Sequence, residues 1–116
     1  MPRGSDKAMT GDPLPPLCRR LTGIVPSQNT PFLADGSVDL ASVERQTAAS
    51  VAAGVAGLLI LAVASENRSL SIEERRRIGT TIVRDVAGRI PVVAAVSAPD
   101  IDTAVTLTRD AVAFGA

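Results

Sequence analysis

From residue 21 onward, short apolar runs alternate with longer segments whose apolar residues recur every three or four positions. The short runs predict three strands, near 22–26, 57–62 and 90–96. The helical spacing predicts three helices, near 39–53, 71–87 and 100–114. The second run shows no alternation of polar and apolar residues, which is typical of a strand buried on both faces of a parallel sheet. Strand followed by helix, three times over, predicts an α/β fold of right-handed βαβ units.

Each predicted helix begins with a capping signal. Ser71 and Glu74 have the spacing of a capping box, Ser37 or Asp39 is expected to cap the first helix, and Asp100 the third. The periodicity also predicts which side chains face the core. They are Leu40, Val43, Thr47 and Val51 in the first helix, Ile78, Ile82, Val83 and Val86 in the second, and Ile101, Ala104, Val105, Ala111 and Val112 in the third.

Two architectures share this order of elements, a doubly wound open sheet and a (β/α)8 barrel. A complete barrel needs about 250 residues, so a chain of 116 residues is expected to supply only the first three βα units, an incomplete barrel. Residues 1–20 mix prolines and glycines with scattered charges and show no period, and we expect a disordered leader there.

Composition narrows the possible functions. Twelve basic residues balance twelve acidic ones, which argues against a nucleic-acid binder, and no apolar run reaches the roughly 18 residues of a membrane span. The single cysteine, Cys18, fits a reducing compartment and a cytoplasmic protein. Because the chain has no histidine, it holds no Ser–His–Asp triad and no histidine metal site. No metal and no cofactor are expected.

Three loops follow the predicted strands, at 27–32, 62–68 and 97–100, and ligands of both architectures bind at this end of the sheet. None carries a glycine-rich dinucleotide or phosphate motif. Glu66 is a candidate acid or base, or it fixes the loop and pairs with Arg68. Ser65 is a candidate donor to a bound carboxylate, or it makes a local turn bond. Thr30 closes the bottom of a pocket or sets an extended turn.

Three consecutive arginines, Arg75, Arg76 and Arg77, follow Glu73 and Glu74 in the second predicted helix. They form either an anion-binding or partner patch, or a solvated face with charge pairs three and four residues apart. The spacing favours the solvated face.

Five segments, in this order and spacing, resemble one family of enzymes. They are GIVP at 23–26 with TPF at 30–32, DGSVD at 35–39, GVAGLLIL at 54–61, LSIEER at 70–75 and GRIPV at 88–92. Together they are similar to the dihydrodipicolinate synthase and N-acetylneuraminate lyase family of class I aldolases, over residues 21 to 116.

The resemblance implies a (β/α)8 barrel in which a lysine forms a Schiff base with pyruvate or another 2-oxo acid, without a cofactor. The family places that lysine on the sixth strand and a proton-relaying tyrosine at the end of the fourth, both past Ala116. Lys7 lies in the leader and not on a barrel strand, so it does not replace the Schiff-base lysine. This chain is therefore expected to hold no catalytic residue and to be inactive alone. The full-length parent is expected to be a homo-oligomer, a dimer or tetramer.

The loop after the second predicted strand departs from the family's Gly-Thr-Thr-Gly-Glu. Val63 stands in place of the first threonine, which serves the proton relay, and Ala64 in place of the second, which holds the substrate carboxylate; Glu66 is kept. Amides around Ala64 and Ser65, or the Ser65 hydroxyl, are then the expected carboxylate donors. Family members with an asparagine after the third strand use it to bind the inhibitor lysine, and Pro99 stands there.

These departures favour a divergent aldolase, hydratase or lyase over a specific dihydrodipicolinate synthase. Two other hypotheses remain open. The first is a non-catalytic product, either a truncated barrel fragment or a small module that persists by oligomerising through its open edges. The second, with less support, is an open-sheet nucleotide-binding domain. Since three βα units leave sheet surface uncovered, the isolated chain is also expected to be marginally stable or prone to aggregate.

Overall fold

The computed structural model describes residues 21–116, so the predicted leader at 1–20 lies outside the described residues. Helices and strands alternate in the order α1 (Leu40–Ala52), β1 (Leu58–Ile60), α2 (Ile72–Val86), β2 (Val92–Ala94) and α3 (Ile101–Phe114). The α/β class is confirmed, and each helix lies within one residue of its expected bounds. β1 and β2 are the second and third predicted strands, shortened to three residues each.

The first predicted strand, near 22–26, is not formed as a regular strand. Its backbone is paired with β1 in parallel, but through one bridge, between Ser27 and Leu59. The Leu59 N–H donates to Pro26 O (3.0 Å), and the Gln28 N–H donates to Leu59 O (2.9 Å). The preceding bridge in a parallel ladder would need an N–H on Pro26, which proline lacks. The proline therefore limits the ladder to a single bridge.

The sheet has one face toward the helices and one away from them. β1 and β2 are parallel, with Leu58, Leu59 and Ile60 opposite Val92, Val93 and Ala94. Leu58 and Ile60 are 0% and 1% exposed and belong to the core, whereas Leu59 between them is half-buried on the other face. The remaining buried members of this core cluster are Val43, Leu61, Leu70, Ile78, Ile82 and Val86.

The predicted caps begin the helices. The Glu74 N–H donates to Ser71 Oγ (3.0 Å), and the Ser71 N–H donates to Glu74 Oε1 (2.8 Å), which completes the capping box. Asp39 caps α1, where it accepts from the Ser42 N–H. Asp100 caps α3 in the same way, accepting from the Thr103 N–H (2.7 Å). These bonds satisfy amides that a helix cannot satisfy by itself.

The two aspartate caps make the stability of the fold pH-dependent. Hydrogen bonds from the side chain and backbone of Ser42 lower the pKa of Asp39 below its ordinary value of 3.8. Hydrogen bonds from the backbone and side chain of Thr103 lower the pKa of Asp100 in the same direction. A lowered pKa in the folded state stabilises the fold above the unfolded pKa, and that stabilisation is lost as the pH falls through the folded value.

We expect the melting temperature of the wild type to fall more steeply below pH 4 than that of the double variant Asp39→Asn, Asp100→Asn. Asparagine caps a helix about as well as aspartate but does not titrate. The measurement is a series of thermal melts between about pH 3 and 7. Parallel curves for the two proteins would contradict the assignment of acid sensitivity to these caps.

The predicted inward face of α3 is wrong for its three large residues, whereas Ala104 and Ala111 are half-buried. Ile101, Val105 and Val112 are 81%, 42% and 73% exposed, and Leu107 is the buried residue of this helix. The prediction did not include Leu107 and Phe114, which lie seven residues apart on the same face of the helix. The packing of α2 selects that face, since Gly79 leaves a notch that admits the Phe114 ring.

We predict that Gly79→Ala destabilises the fold because of that notch. An added Cβ would lie 2.4 Å from Phe114 Cζ, so the ring must move out of its packed position, at a cost of about 1–3 kcal/mol. In a Phe114→Ala background the same change should stabilise by up to about 1 kcal/mol, because alanine is the better helix former. Urea unfolding of the four proteins in this cycle measures the coupling, and additive effects would show that ring and notch are independent.

Candidate active site

The loop after β1 begins with a sharp turn at a buried leucine. Leu61 has φ 60°, and Glu66, five residues later, has φ 55°. Non-glycine residues in this left-handed region cost about 1–3 kcal/mol each and persist where surrounding packing enforces them. The burial of Leu61, which is 4% exposed, supplies that enforcement. Between the two lies a single 3-10 turn, Val63–Ser65, held at the carboxyl end of the sheet.

Two buried hydroxyls join this loop to the loop at 27–32. Thr30 Oγ1 donates to Ser65 O (2.8 Å), and Ser65 Oγ donates to Gln28 O (2.5 Å). Thr30 is 6% exposed and Ser65 2%. The Ser65 hydroxyl proton is therefore directed to the backbone of another loop. We refer to these two bonds as the loop clamp.

The amides of Val63 and Ala64 lie in the exposed part of the same loop and are not used by the fold of the described residues. The Ser65 N–H donates to Ala62 O (3.0 Å) and the Glu66 N–H to Val63 O (2.9 Å). Within residues 21–116, the N–H groups of Val63 and Ala64 have no hydrogen-bond acceptor. The Val63 side chain is 83% exposed, and Ala64 is also exposed. Two adjacent amide donors are thus available at this end of the sheet, one residue earlier than the pair expected from the sequence.

Glu66 is exposed at the junction of two 3-10 turns, Val63–Ser65 and Asn67–Ser69. Its carbonyl accepts from the Ser69 N–H (2.9 Å), so its backbone helps to shape the loop. Among the described residues it forms no ion pair with Arg68. The carboxylate is therefore open to solvent and to ligands.

Arg75 departs from the solvated face expected for the arginine cluster. Arg76 pairs with Asp110 (2.8 Å) and Glu73 (3.9 Å) on the surface, but Arg75 turns inward, and its Nη2 donates to Asn67 O (2.5 Å). Its Nε and Nη1 are buried without a partner in the described part of the chain. The sequence indicates this inward position in one way: Arg75 lies three residues before Ile78, and residues three apart share a face of a helix, here the inward face of α2.

A cavity of about 650 Å³ opens between the loops after β1 and β2. That volume is within the range of small-molecule sites. Its lining includes two arginines and no carboxylate, and consists of Val63, Asn67, Arg68, Arg75, Ser97, Ala98 and Pro99. The structure thus brings the second and third predicted loops together, while Thr30 and Ser65 do not line the cavity and instead join the β1 loop to the loop at 27–32. The arrangement suits an anionic ligand.

Residues 21–116 contain no group of three or more histidine, cysteine, aspartate or glutamate side chains placed to hold a metal ion. No helix in the described part of the chain is long and apolar enough to cross a membrane.

Comparison with known proteins gives one consistent result. The sequence profile of the dihydrodipicolinate synthetase family matches residues 20–116. The 4-hydroxy-tetrahydrodipicolinate synthase of Laribacter hongkongensis is 33% identical over 96 residues, which are 83% of this chain and 33% of that protein. A probable 2-dehydro-3-deoxy-D-pentonate aldolase of Escherichia coli is 31% identical over 98 residues, 84% of this chain and 33% of its own length.

Solved structures agree with the sequence matches. Dihydrodipicolinate synthase from Acinetobacter baumannii, solved with pyruvate, superposes with a TM-score of 0.80 at 30% identity, over 83% of this chain and 33% of that one. N-acetylneuraminate lyase from Mycoplasma synoviae gives 0.78 at 25% identity, with the same coverage. The chain spans about a third of the length of these relatives. Because the structural neighbours are (β/α)8 barrels, the barrel, and not the open sheet, is the architecture of this chain.

Proposed function

We propose, because this chain belongs to the dihydrodipicolinate synthetase family, that it is the N-terminal part of an aldolase or lyase acting on pyruvate or another 2-oxo acid through a lysine Schiff base. The observation that carries the proposal is the family match over residues 20–116. The Schiff-base lysine and the relay tyrosine are proposed on later strands, past Ala116.

The proposed reaction divides one difficult step into easier ones. The lysine amine adds to the 2-oxo carbon, and water leaves as the iminium forms. The C3–C4 bond then breaks; its electron pair moves into the iminium to give an enamine, and the C4 hydroxyl loses its proton as an aldehyde departs. Protonation at C3 and addition of water release pyruvate and restore the amine.

In this scheme the described residues hold the substrate carboxylate. The amides of Val63 and Ala64 have no acceptor within residues 21–116 and lie in the exposed loop after β1, and charge-assisted bonds from backbone amides to a carboxylate need no side-chain hydroxyl. The loop clamp of Thr30 and Ser65 keeps these amides in place. Glu66 shapes the loop through its backbone. These contacts support the proposal that a carboxylate binds here without the family's two threonines.

We predict that Val63→Thr, Ala64→Thr improves the enzyme. The two added hydroxyls would supply one further carboxylate donor and one relay group, so kcat/KM for pyruvate release should rise by about 10-fold, or roughly 1.4 kcal/mol. The matched control is Val112→Thr, which adds a hydroxyl to a side chain that is 73% exposed on α3. Equal effects of the two variants would contradict a role of this loop in substrate binding.

The test of the proposed function is borohydride reduction in the presence of pyruvate, on the protein expressed from its complete reading frame. Reduction converts the imine into a stable amine, so intact-mass spectrometry should show one pyruvate adduct per chain. Omission of pyruvate or of borohydride should abolish it. A protein that is folded by its thermal melt and forms no adduct would contradict the proposal.

A second candidate is a non-catalytic barrel fragment that persists by self-association. Two observations favour it: Val63 and Ala64 stand where the family has threonines, and α3 exposes Ile101 and Val112. It predicts that the 116-residue chain forms a monodisperse oligomer with a cooperative melt. Sedimentation velocity separates the two candidates when it is combined with the adduct measurement, because the enzyme forms the adduct and the fragment does not.

For the full-length parent we also propose a cytoplasmic location and a homo-oligomeric state, a dimer or tetramer. The first rests on Cys18 being the single cysteine, and the second on the family resemblance.

A further inference from the structure

Residues 27–30 alternate between the two faces of the sheet. Gln28 and Thr30 are 7% and 6% exposed and turn toward the helices, where the Gln28 Nε2 donates to Thr47 Oγ1 of α1 (3.3 Å). Ser27 and Asn29 are exposed and lie on the opposite face. Because residues two apart on an extended chain share a face, Ser27 and Asn29 point the same way.

The register places Ser27 in a row with two apolar residues. Ser27 is opposite Leu59, and Leu59 is opposite Val93, on the face directed away from the helices. In a (β/α)8 barrel that face is the interior, which bulky branched side chains normally fill in layers. Leu59 and Val93 fit that rule and Ser27 does not. Asn29 lies one layer nearer the carboxyl end, where ligands of barrels bind.

The side chains of Ser27 and Asn29 make no contribution to the hydrogen bonding of the described residues. Within residues 21–116, Ser27 Oγ and the Asn29 amide make no hydrogen bond to another side chain or to the backbone. A buried polar group without a partner costs about 1–3 kcal/mol, so closure of the barrel over these two residues requires polar partners for both. Water or a ligand that carries hydroxyl groups can supply them.

We propose that Ser27 and Asn29 are specificity-determining residues that bind a substrate hydroxyl beyond C4, so that the preferred substrate is a 2-oxo acid that carries at least one further hydroxyl besides the C4 hydroxyl lost as the aldehyde forms. A serine hydroxyl both donates and accepts, and an asparagine amide does the same through two different atoms, which complements a hydroxylated chain. The amides of Val63 and Ala64 hold the carboxylate at the other end. This inference rests on the proposed function.

One relative is consistent with this substrate chemistry. The Escherichia coli protein that is 31% identical to this chain is named a probable 2-dehydro-3-deoxy-D-pentonate aldolase, and that compound carries one hydroxyl on the carbon after the cleaved bond and another at its end.

The test compares two substrates that differ by one hydroxyl, on the protein from its complete reading frame. The first is 2-dehydro-3-deoxy-D-pentonate, and the second is 4-hydroxy-2-oxopentanoate of matching C4 configuration, which lacks only the terminal hydroxyl. Both release pyruvate on cleavage, so one coupled assay reads both. We expect the wild type to prefer the first by about 10-fold or more in kcat/KM.

Ser27→Ala and Asn29→Ala should each lower kcat/KM for the hydroxylated substrate by about 5- to 10-fold and change the value for the other substrate by less than about 2-fold. The second substrate thus controls for folding in the same sample. Ser27→Thr, which keeps the hydroxyl, should restore the preference. Thr80→Ala, on the exposed side of α2, should leave both rates unchanged.

Three results would overturn the proposal. If the wild type cleaves both substrates equally, or if the variants slow both alike, Ser27 and Asn29 do not determine specificity, while the proposed function stands. If the wild type cleaves neither substrate and forms no borohydride adduct with pyruvate, the proposed function fails and this inference fails with it.

Discussion

Replacing Ile82 with Ala is expected to lower the free energy of unfolding by about 2–5 kcal/mol. Ile82 is 1% exposed on the inward face of α2 and belongs to the cluster formed with Leu58 and Ile60 of β1. Truncation removes buried methyl groups and leaves a cavity that the strands cannot fill without moving. A domain of this size has a total stability of about 5–15 kcal/mol, so the variant should lose a large fraction of it.

Urea unfolding followed by far-UV circular dichroism measures this loss. The matched control is Val112→Ala, which truncates an apolar residue that is 73% exposed on α3 and should change stability by less than about 0.5 kcal/mol. Similar losses in the two variants would mean that the helix face which we describe as the core is not the one that stabilises the fold.

Removing either bond of the loop clamp is expected to give the second large loss of stability. Ser65→Ala leaves Gln28 O buried without its donor, and Thr30→Val does the same to Ser65 O. Each is expected to cost about 1–3 kcal/mol, the usual range for a buried polar group that loses its partner. The two bonds join the same pair of loops, so their costs should not add. Hydrogen exchange of the Ser65 and Glu66 amides, which donate to Ala62 O and Val63 O within this loop, should accelerate in both variants.

Thr108→Val is the control for this pair of variants. Thr108 Oγ1 also donates to a backbone carbonyl, that of Ala104 (2.8 Å), but at an exposed position, where water replaces the lost partner. It should cost less than about 0.5 kcal/mol. If Thr30→Val costs no more than Thr108→Val, the clamp does not hold the loop, and the positions of the amides must be set by Leu61 and the backbone alone.

The sequence predicted the elements that local chemistry decides. The capping box of Ser71 and Glu74 and the cap at Asp100 depend on residues three positions apart, and the structure confirms them. On α2 the apolar residues form one face, and Ile78, Ile82 and Val86 are buried as expected. These features need no knowledge of the rest of the fold.

Tertiary packing decided what the sequence did not. On α3 the sequence analysis placed Ile101 and Val112 inward, but contact between Phe114 and the notch at Gly79 sets a rotation of the helix that leaves both exposed. The first predicted strand was limited by the missing N–H of Pro26, a local signal that predicts the break in the ladder once the parallel partner is known.

The sequence predicted which loops lie next to each other at the candidate site, but it did not predict the hydrogen bonds that these loops make. Parallel βαβ units put the loop at 62–68 beside the loop at 97–100, and the cavity lies there. The bond from Ser65 to Gln28 spans 37 positions, so no local pattern announces it, and it redirects a hydroxyl that was expected to meet a ligand. The inward turn of Arg75 was likewise hidden inside a charged run.

The most direct test of the account is a crystal structure of the protein from its complete reading frame, reduced with borohydride in the presence of pyruvate. The account predicts a pyruvate carboxylate within about 2.7–3.2 Å of the amide nitrogens of Val63 and Ala64, with Ser27 and Asn29 facing the same chamber. A carboxylate bound elsewhere, with these two amides turned to solvent, would contradict it.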